Sequence, residues 1–165
     1  MTGGLGMTDR CQRCASAGAL MDLRTKVAKT VAGHRFVGVL DSRRCSACGD
    51  ERVESASMAR FELRVAKELA RAGVSSGEAF RFMRRSLALR AVDLAELLDV
   101  APETVSRWET EKRAVHRGAY AIVASLVRER LDGREETLAA LRALRRPRQL
   151  GDTVDLDDVE ALGAG

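Results

Sequence analysis

Four cysteines in two close pairs, CQRC and CSACG, are the residues of this 165-residue chain best suited to chemistry. Two thiolates separated by two residues can bind one metal ion, because the short turn between them directs backbone amides toward the sulfurs. Two such turns complete a tetrahedral four-sulfur site. The spacing therefore predicts one structural Zn²⁺ ion bound by Cys11, Cys14, Cys45 and Cys48. Iron in the same sulfur cage is the alternative metal.

Other uses of paired cysteines fit the sequence less well. A redox pair of the thioredoxin type requires a strand–helix–strand setting, which is missing around both pairs. A catalytic zinc ion keeps an open coordination position, and four thiolates leave none. His34 is expected in a turn and not among the ligands. No Ser-His-Asp, Cys-His, paired-carboxylate or phosphate-loop arrangement is found, so we predict that the protein is not an enzyme.

The segment between the cysteine pairs predicts two β-strands. In MDLRTKVAK, the first three charged residues fall on one face of an extended strand and less polar residues fall on the other, which is typical of a half-buried strand. The less polar face contains Met21, Leu23, Thr25 and Val27. A turn at residues 32–34 leads into a second strand, FVGVL, which runs toward Cys45. A lobe of this size holds little core, so metal binding is expected to supply much of its folding free energy.

The rest of the chain predicts helices. A connector helix over residues 56–73 ends at Gly73; it can pack on either lobe or stand alone as a spacer. Ser75 lies three residues before Glu78, the spacing of a capping box, at the start of the next helix. The buried stripe of that helix is predicted to contain Phe80, Met83 and Leu87.

The stretch LAELLDVAPETVSRWE predicts two short helices joined by a tight turn. Asp99 occupies the turn, where it tolerates the left-handed backbone conformation better than most residues do. Val100 is expected to pack into the core, and Pro102 suits the first position of the second helix. Val105 and Trp108 are placed to anchor that helix from beneath. This register is typical of a helix-turn-helix whose second helix lies in the major groove of DNA.

The outer face of the second helix predicts how such a groove would be read. Arg107 suits a bidentate contact to guanine, and Glu103 can accept a hydrogen bond from cytosine N4. Cations beyond the helix, including Arg117, are placed to contact phosphate, which supplies affinity but little sequence information. The predicted DNA-binding residues are Pro102, Glu103, Thr104, Ser106, Arg107, Lys112 and Arg113.

Composition and charge limit the remaining options. Only 4% of residues are aromatic, so the core depends on Ala, Leu and Val and favours helices. No apolar run approaches the roughly 20 residues that span a bilayer, and no signal pattern opens the chain, so we expect a cytoplasmic protein without membrane contact. Residues 10–44 carry eight basic and two acidic residues, whereas residues 151–165 carry five acidic residues and no basic one. The basic lobe can attract phosphate, an acidic partner or the chain's own tail.

The two motifs together resemble a known family. CQRC, the basic lobe, CSACGDE, the connector and RRSLALRAVDLAELLDVAPETVSRWETEKR are similar to the MqsA family of antitoxins, which carry a YgiT-type zinc finger. The similarity runs from about Cys11 to Leu131, and its second half also resembles the Xre/Cro repressor-like family. It implies a structural zinc lobe that engages a ribonuclease toxin, and a C-terminal domain that dimerises and represses its own operon. It also implies base reading by Glu103 and Arg107.

The expected fold is therefore α+β, with a small zinc-bound β-lobe followed by an all-α, lambda-repressor-like helix-turn-helix domain. Of the two further helices after the recognition helix, one is expected to complete the core and the other to meet a second subunit, because such proteins usually bind two-fold sites as dimers. The expected divisions are a flexible N-terminus at 1–10, the β-lobe at 11–55, the connector at 56–73, the helix-turn-helix domain at 74–146 and a disordered acidic tail at 147–165.

The expected function is that of a sequence-specific, DNA-binding transcriptional regulator, a repressor or autoregulator with a structural zinc lobe. The family resemblance extends this to the antitoxin of a type II toxin–antitoxin pair. The alternatives are a zinc-containing protein-interaction adaptor, a stand-alone regulator with no toxin partner, and a redox enzyme or metal-sensing switch that uses the cysteine pairs. The expected partners are double-stranded operator DNA, a second copy of the chain and a toxin protein.

Overall fold

A computed structural model describes residues 10–147, 149, 150 and 153. Within these residues the protein is α+β, as predicted, with one three-stranded antiparallel sheet and six helices. The strands are β1 (Leu20–Val31), β2 (His34–Cys45) and β3 (Glu51–Val53). The helices are α1 (Ser55–Ala72), α2 (Gly77–Ser86), α3 (Ala91–Leu97), α4 (Pro102–Glu109), α5 (Arg117–Asp132) and α6 (Glu136–Arg145).

Two of the expected divisions lie almost wholly outside the described residues. These are the N-terminus at 1–10 and the acidic tail at 147–165. None of the helices in the described part combines the length and the apolar character that a membrane crossing requires.

Strands β1 and β2 form a long hairpin with a two-residue turn. The turn residues Ala32 and Gly33 lie where the sequence predicted a turn, and their φ angles of 50° and 78° are both left-handed. Two left-handed residues in a row match the twist of a hairpin. Strand β3, which the sequence analysis did not predict, pairs with β2 only at residues 42–44. The sheet order is β1–β2–β3, so β1 lies at one edge.

The predicted half-burial of β1 holds for only part of the strand. Val31, beside the turn, is 2% exposed, whereas Met21 and Leu23 are 49% and 37% exposed. Helix α1 covers the turn half of the hairpin, where the ring of Phe61 fills the space above Gly38. A Cβ atom at Gly38 would lie 2.8 Å from that ring, so the two elements approach closely. No described helix covers the other half of β1.

Helix α1 joins the hairpin to the helical part of the protein. The sequence left open which of the two it contacts, and it contacts both. Its apolar stripe, Phe61, Val65 and Leu69, packs with Val31 and Leu40 of the hairpin. Ala66, on the same helix, belongs to the second core. The other buried members of that core are Phe80, Met83, Leu94, Ala95, Val105, Trp108, Ala119, Val123 and Val127.

Lys29 reinforces this junction from the inward face of β1. Its ammonium group forms an ion pair with Glu62 of α1. The same ammonium group lies 5.2 Å from the ring centre of Phe82 in α2, within the range of a cation–π contact. One side chain of β1 therefore contacts both α1 and α2.

The start of α2 differs from the predicted capping box. The N-cap is Ser76, whose hydroxyl accepts a hydrogen bond from the Ala79 N–H at 3.2 Å, and Ser75 has no capping role. With Ser76 at the N-cap, Glu78 is the second helical residue, and a capping box requires it to be the third. The prediction was therefore wrong by one residue.

Helix α6 is held at its start by a side chain of α5. Its own N-cap residue makes no capping hydrogen bond. Instead, the carboxylate of Glu129 accepts hydrogen bonds from the N–H and the hydroxyl of Thr137, at 2.9 and 2.5 Å. These bonds lower the pKa of Glu129 below its usual value. The ionised carboxylate therefore secures α6 against the helical core.

A buried ion pair fixes α4 to α2. The side chains of Arg84 and Glu109 are 9% and 8% exposed and share two hydrogen bonds of 2.5 and 2.9 Å. A third N–H of Arg84 donates to the carbonyl of Leu89 at 2.6 Å. The sequence analysis missed this pair. The available signal was helical spacing, because Arg84 follows the buried Phe80 by four residues.

Neutralising one member of this pair is expected to be costly. Glu109→Gln leaves the Arg84 charge buried without its partner, and we expect the free energy of unfolding to fall by about 3–5 kcal/mol. Urea unfolding followed by circular dichroism measures this. Glu103→Gln, on the exposed face of the same helix, is the matched control and should change stability by less than about 0.5 kcal/mol. Equal effects at the two positions would show that the buried pair has no special role.

Candidate metal centre and nucleic-acid interface

The four cysteine sulfurs lie together at the open end of the hairpin. Their Sγ atoms all fall within 4.8 Å of one another. The shortest separations join the two pairs, 3.7 Å between Cys11 and Cys48 and 3.6 Å between Cys14 and Cys45. Four sulfurs placed tetrahedrally about 2.3 Å from a zinc ion lie roughly 3.8 Å apart. The cluster therefore has the dimensions of a four-thiolate metal site.

The two cysteine turns share one hydrogen-bonding pattern. In the first, the N–H of Cys11 donates to the carbonyl of Ser16 at 3.0 Å, and the N–H of Ala15 donates to the carbonyl of Cys11 at 2.8 Å. In the second turn the N–H of Cys45 donates to the carbonyl of Asp50, and the N–H of Gly49 donates to the carbonyl of Cys45, both at 2.8 Å. Ala15 and Gly49 both have left-handed φ angles, 59° and 71°. The two turns are therefore equivalent halves of one site.

Backbone and side-chain donors around the first turn favour negative sulfur. Hydrogen bonds with the hydroxyl and the backbone of Ser16 lower the pKa of Cys14 to about 6. Hydrogen bonds from the backbones of Cys14 and Arg13 lower the pKa of Cys11. In Cys48 the backbone of Asp50 also lowers the pKa, but desolvation and hydrogen bonding among the thiols together raise it to about 12. The cluster thus holds some sulfurs ready as thiolates, the form that binds a metal.

Strand β3 ties the two cysteine turns together. The guanidinium of Arg52 donates to Asp50, beside the second turn, at 2.8 Å and also to Gln12 in the first turn. The N–H of Ser46 donates to the carbonyl of Ala19 at 2.7 Å, which adds a second link. The sequence analysis missed this role of β3, because three residues are too few to show a strand pattern. These bonds hold the cysteines in place from outside the ligand set.

A second arrangement lies in the helical part, where α3 and α4 are joined by a short turn. The N–H of Val100 donates to the carbonyl of Ala95 at 3.0 Å and closes the end of α3. Asp99 has the left-handed φ of 52° that the sequence predicted for the turn. Pro102 is the first residue of α4, and Val105 and Trp108 are buried beneath that helix. The details of this turn therefore follow the predicted pattern.

The opposite face of α4 lies open to solvent. Pro102, Glu103, Ser106 and Arg107 are exposed, and Thr104 is half-buried. The hydroxyl of Thr110 donates to the carbonyl of Ser106 at 2.7 Å. The N–H of Arg113 donates to the carbonyl of Arg107 at 3.1 Å. These two bonds fold the loop that follows α4 back onto the helix. Seven predicted contact residues are thereby gathered on and just beyond α4.

Several cations of this surface are not neutralised by the surrounding described residues. In the described part of the chain, Arg107, Lys112, Arg113 and Arg117 form no ion pair. Some other exposed cations of the helices are paired, for example Arg90 with Asp93 at 2.6 Å. Positive charge is therefore available at the end of α4.

A carboxylate also fixes the end of α4 to the start of α2. Glu111 accepts a hydrogen bond from the Gly77 N–H at 3.1 Å. A Cβ atom at Gly77 would lie 2.3 Å from the carbonyl oxygen of Trp108, so only glycine permits this approach. The orientation of α4 is therefore set by its contacts with α2, at a point that the sequence analysis did not single out.

Comparison with protein-family models, with curated proteins and with solved structures gives no match for this chain. The resemblance to the MqsA family therefore stays a prediction from the motifs. The case for each site rests on its own geometry.

The equivalence of the two cysteine turns leads to a test of the metal centre. Ala15→Gly should relieve about 1 kcal/mol of left-handed strain and raise metal affinity by up to about fivefold. Gly49→Ala places the same strain in the other turn and should weaken binding by a similar factor. Nothing lies within 4 Å of a Cβ atom at Gly49, so backbone conformation alone is altered. Competition with a chromophoric chelator measures both affinities; a change in the same direction for both variants would contradict the equivalence.

Proposed function

We propose that this protein is a sequence-specific, DNA-binding transcriptional regulator. In this proposal α3 and α4 form a helix-turn-helix, and the four-cysteine site holds one structural Zn²⁺ ion. The observation that carries the proposal is the exposed face of α4 with its unpaired cations. A helix fixed from beneath by buried contacts, with a polar outer face, suits insertion into the major groove.

The residues on and just after α4 have different roles in the proposed binding of DNA. Arg107 reads guanine and Glu103 reads cytosine, because a guanidinium and a carboxylate match the hydrogen-bonding edges of those bases. Lys112, Arg113 and Arg117 contact phosphate and position the helix. Thr104 and Ser106 contact phosphate or a thymine methyl group. Binding of this kind depends strongly on salt, because counterions are released from the DNA.

Zinc is the metal that the sulfur cluster supports best. Zn²⁺ prefers tetrahedral sites, and four thiolates close its coordination, so its role is structural. The ion would hold the two cysteine turns together and stabilise the folded state, as in other small metal-bound lobes. Four thiolates also suit iron, which has a visible absorption spectrum that zinc lacks.

A second copy of the chain is the proposed partner on DNA. Leu144 at the end of α6 and Leu150 beyond it are 78% and 81% exposed, although both are large apolar residues. Burying them against a two-fold-related copy would remove them from water, and proteins with this motif usually bind two-fold DNA sites as dimers. A toxin partner is implied only by the family resemblance and stays part of this proposal as its antitoxin form.

Metal content provides the first test. Protein expressed without added metal is expected to contain one zinc ion per chain by elemental analysis, and Cys45→Ser to contain close to none. Chelation should unfold the hairpin, because binding of a structural zinc ion contributes on the order of 10–16 kcal/mol. Iron in the purified protein, or an unaltered circular dichroism spectrum after complete metal removal, would contradict a structural zinc site.

DNA recognition is tested by selecting bound duplexes from a random pool and measuring their affinity by fluorescence polarisation. Arg107→Ala is expected to lose about 1–3 kcal/mol and to relax specificity at one base pair. Lys112→Ala should weaken every sequence alike and reduce the salt slope by about 1. Arg60→Ala, on the exposed face of α1, is the control that should alter neither. If no sequence is enriched, the regulator proposal fails and an adaptor that binds only proteins is favoured.

A further inference from the structure

Strand β1 has a free edge along its whole length. All twelve of its residues pair with β2 on one side, and within the described residues no strand pairs on the other. Such an edge presents unpaired backbone N–H and C=O groups that can bond an added strand.

The ladder between β1 and β2 determines which backbone groups face this edge. Along an antiparallel pair, alternate residues bond the neighbouring strand and the others point away from it. The register continues from Leu20 and Cys45 to Ala19 and Ser46, and the N–H of Ser46 donates to the carbonyl of Ala19 at 2.7 Å. Odd-numbered residues of β1 therefore bond β2. Its even-numbered residues direct their N–H and C=O groups to the free edge.

The side chains in the uncovered half of β1 suit a second copy of the same strand. On the inner face, Met21 and Leu23 are 49% and 37% exposed. On the outer face, Asp22 and Arg24 carry opposite charges two residues apart. Each has an ion-pair partner on β2, at 3.3 and 3.7 Å, but their own side chains are 88% and 71% exposed, so both are accessible to another molecule.

One antiparallel register of two such strands places opposite charges together. With a two-fold axis at Leu23, Asp22 of each copy lies opposite Arg24 of the other. Both residues are even-numbered, so their free backbone groups also meet. Moving the axis by one residue sets Asp22 against its own copy, or Arg24 against its own copy, and facing like charges destabilise a strand pair. The charges therefore favour the register centred on Leu23.

The same register covers the exposed apolar side chains. Leu23 faces its own copy across the axis, at a non-hydrogen-bonded position where opposite side chains approach closely. Met21 lies opposite Thr25 and diagonal to Leu23 of the other copy, which is within reach of a long side chain. Lys26 lies opposite Leu20 and meets no like charge. The register thus satisfies both faces of the strand.

We propose that residues 20–26 of β1 pair with the same residues of a second copy, antiparallel and centred on Leu23. The two three-stranded sheets then form one continuous sheet. The contact is isologous, since each copy contributes the same surface. It is separate from the contact proposed at Leu144, and it contains no residue of α3 or α4, so it does not depend on DNA binding.

A pair of complementary charge variants tests this register. Asp22→Arg places Arg opposite Arg24 in a dimer of that variant, and Arg24→Asp places Asp opposite Asp22, so each variant alone should associate about tenfold more weakly. In a mixture of the two, every one of these positions faces an opposite charge, and association should return. Sedimentation equilibrium of the full-length, metal-loaded protein measures this. All samples carry Leu144→Asp and Leu150→Asp, which remove the other proposed contact.

Arg35→Asp is the matched control, because it makes the same change of charge as Arg24→Asp on an exposed residue of β2, away from the free edge. It should associate as strongly as the parent protein. A parent protein that stays monomeric, or a mixture of the two variants that stays monomeric, would overturn the proposal. Equal weakening by Arg35→Asp would also overturn it, in favour of an attraction that depends on net charge alone.

Discussion

The packing of α1 across the hairpin is the contact on which the rest of the structure depends. A two-stranded hairpin is marginally stable in water, and this one is secured at two points. The ring of Phe61 lies against Gly38 in its turn half, and the cysteine cluster closes its other end. Because α1 also places Ala66 in the core of the helices, both cores contain residues of this helix.

Polar contacts in the helical part follow a clear division. Polar groups of α2 that face inward have partners: the guanidinium of Arg84 pairs with Glu109, and the N–H of Gly77 donates to Glu111. Charged groups on the outer face of α4, such as Arg107, form no ion pair with any residue that the structure describes. Inward contacts fix the position of a helix, and outward groups are then free to bind another molecule in a defined geometry. This division is what makes α4 the best candidate for a reading helix.

Features set by neighbouring residues were the ones predictable from sequence. Three predicted features depend on a few adjacent residues, and the structure has all three. They are the clustering of the cysteine pairs, the left-handed φ of Asp99 and the position of Pro102 at the start of α4. Features that depend on distant partners were missed. The Arg84–Glu109 pair joins residues 25 positions apart, and strand β3 is recognisable only from its pairing with β2. The uncovered half of β1 depends on where α1 crosses the sheet, which strand periodicity does not encode.

The position of Lys29 allows the junction of sheet and helices to be monitored by chemical labelling. The chain has four lysines, at 26, 29, 67 and 112, and the first two lie on opposite faces of β1. An amine that forms an ion pair with Glu62 and lies over the ring of Phe82 is shielded from acylating reagents by these contacts. Its rate of acylation relative to Lys26, on the outer face of the same strand, would report how often the hairpin separates from the helices. The protein thus contains a built-in probe of its own internal motion.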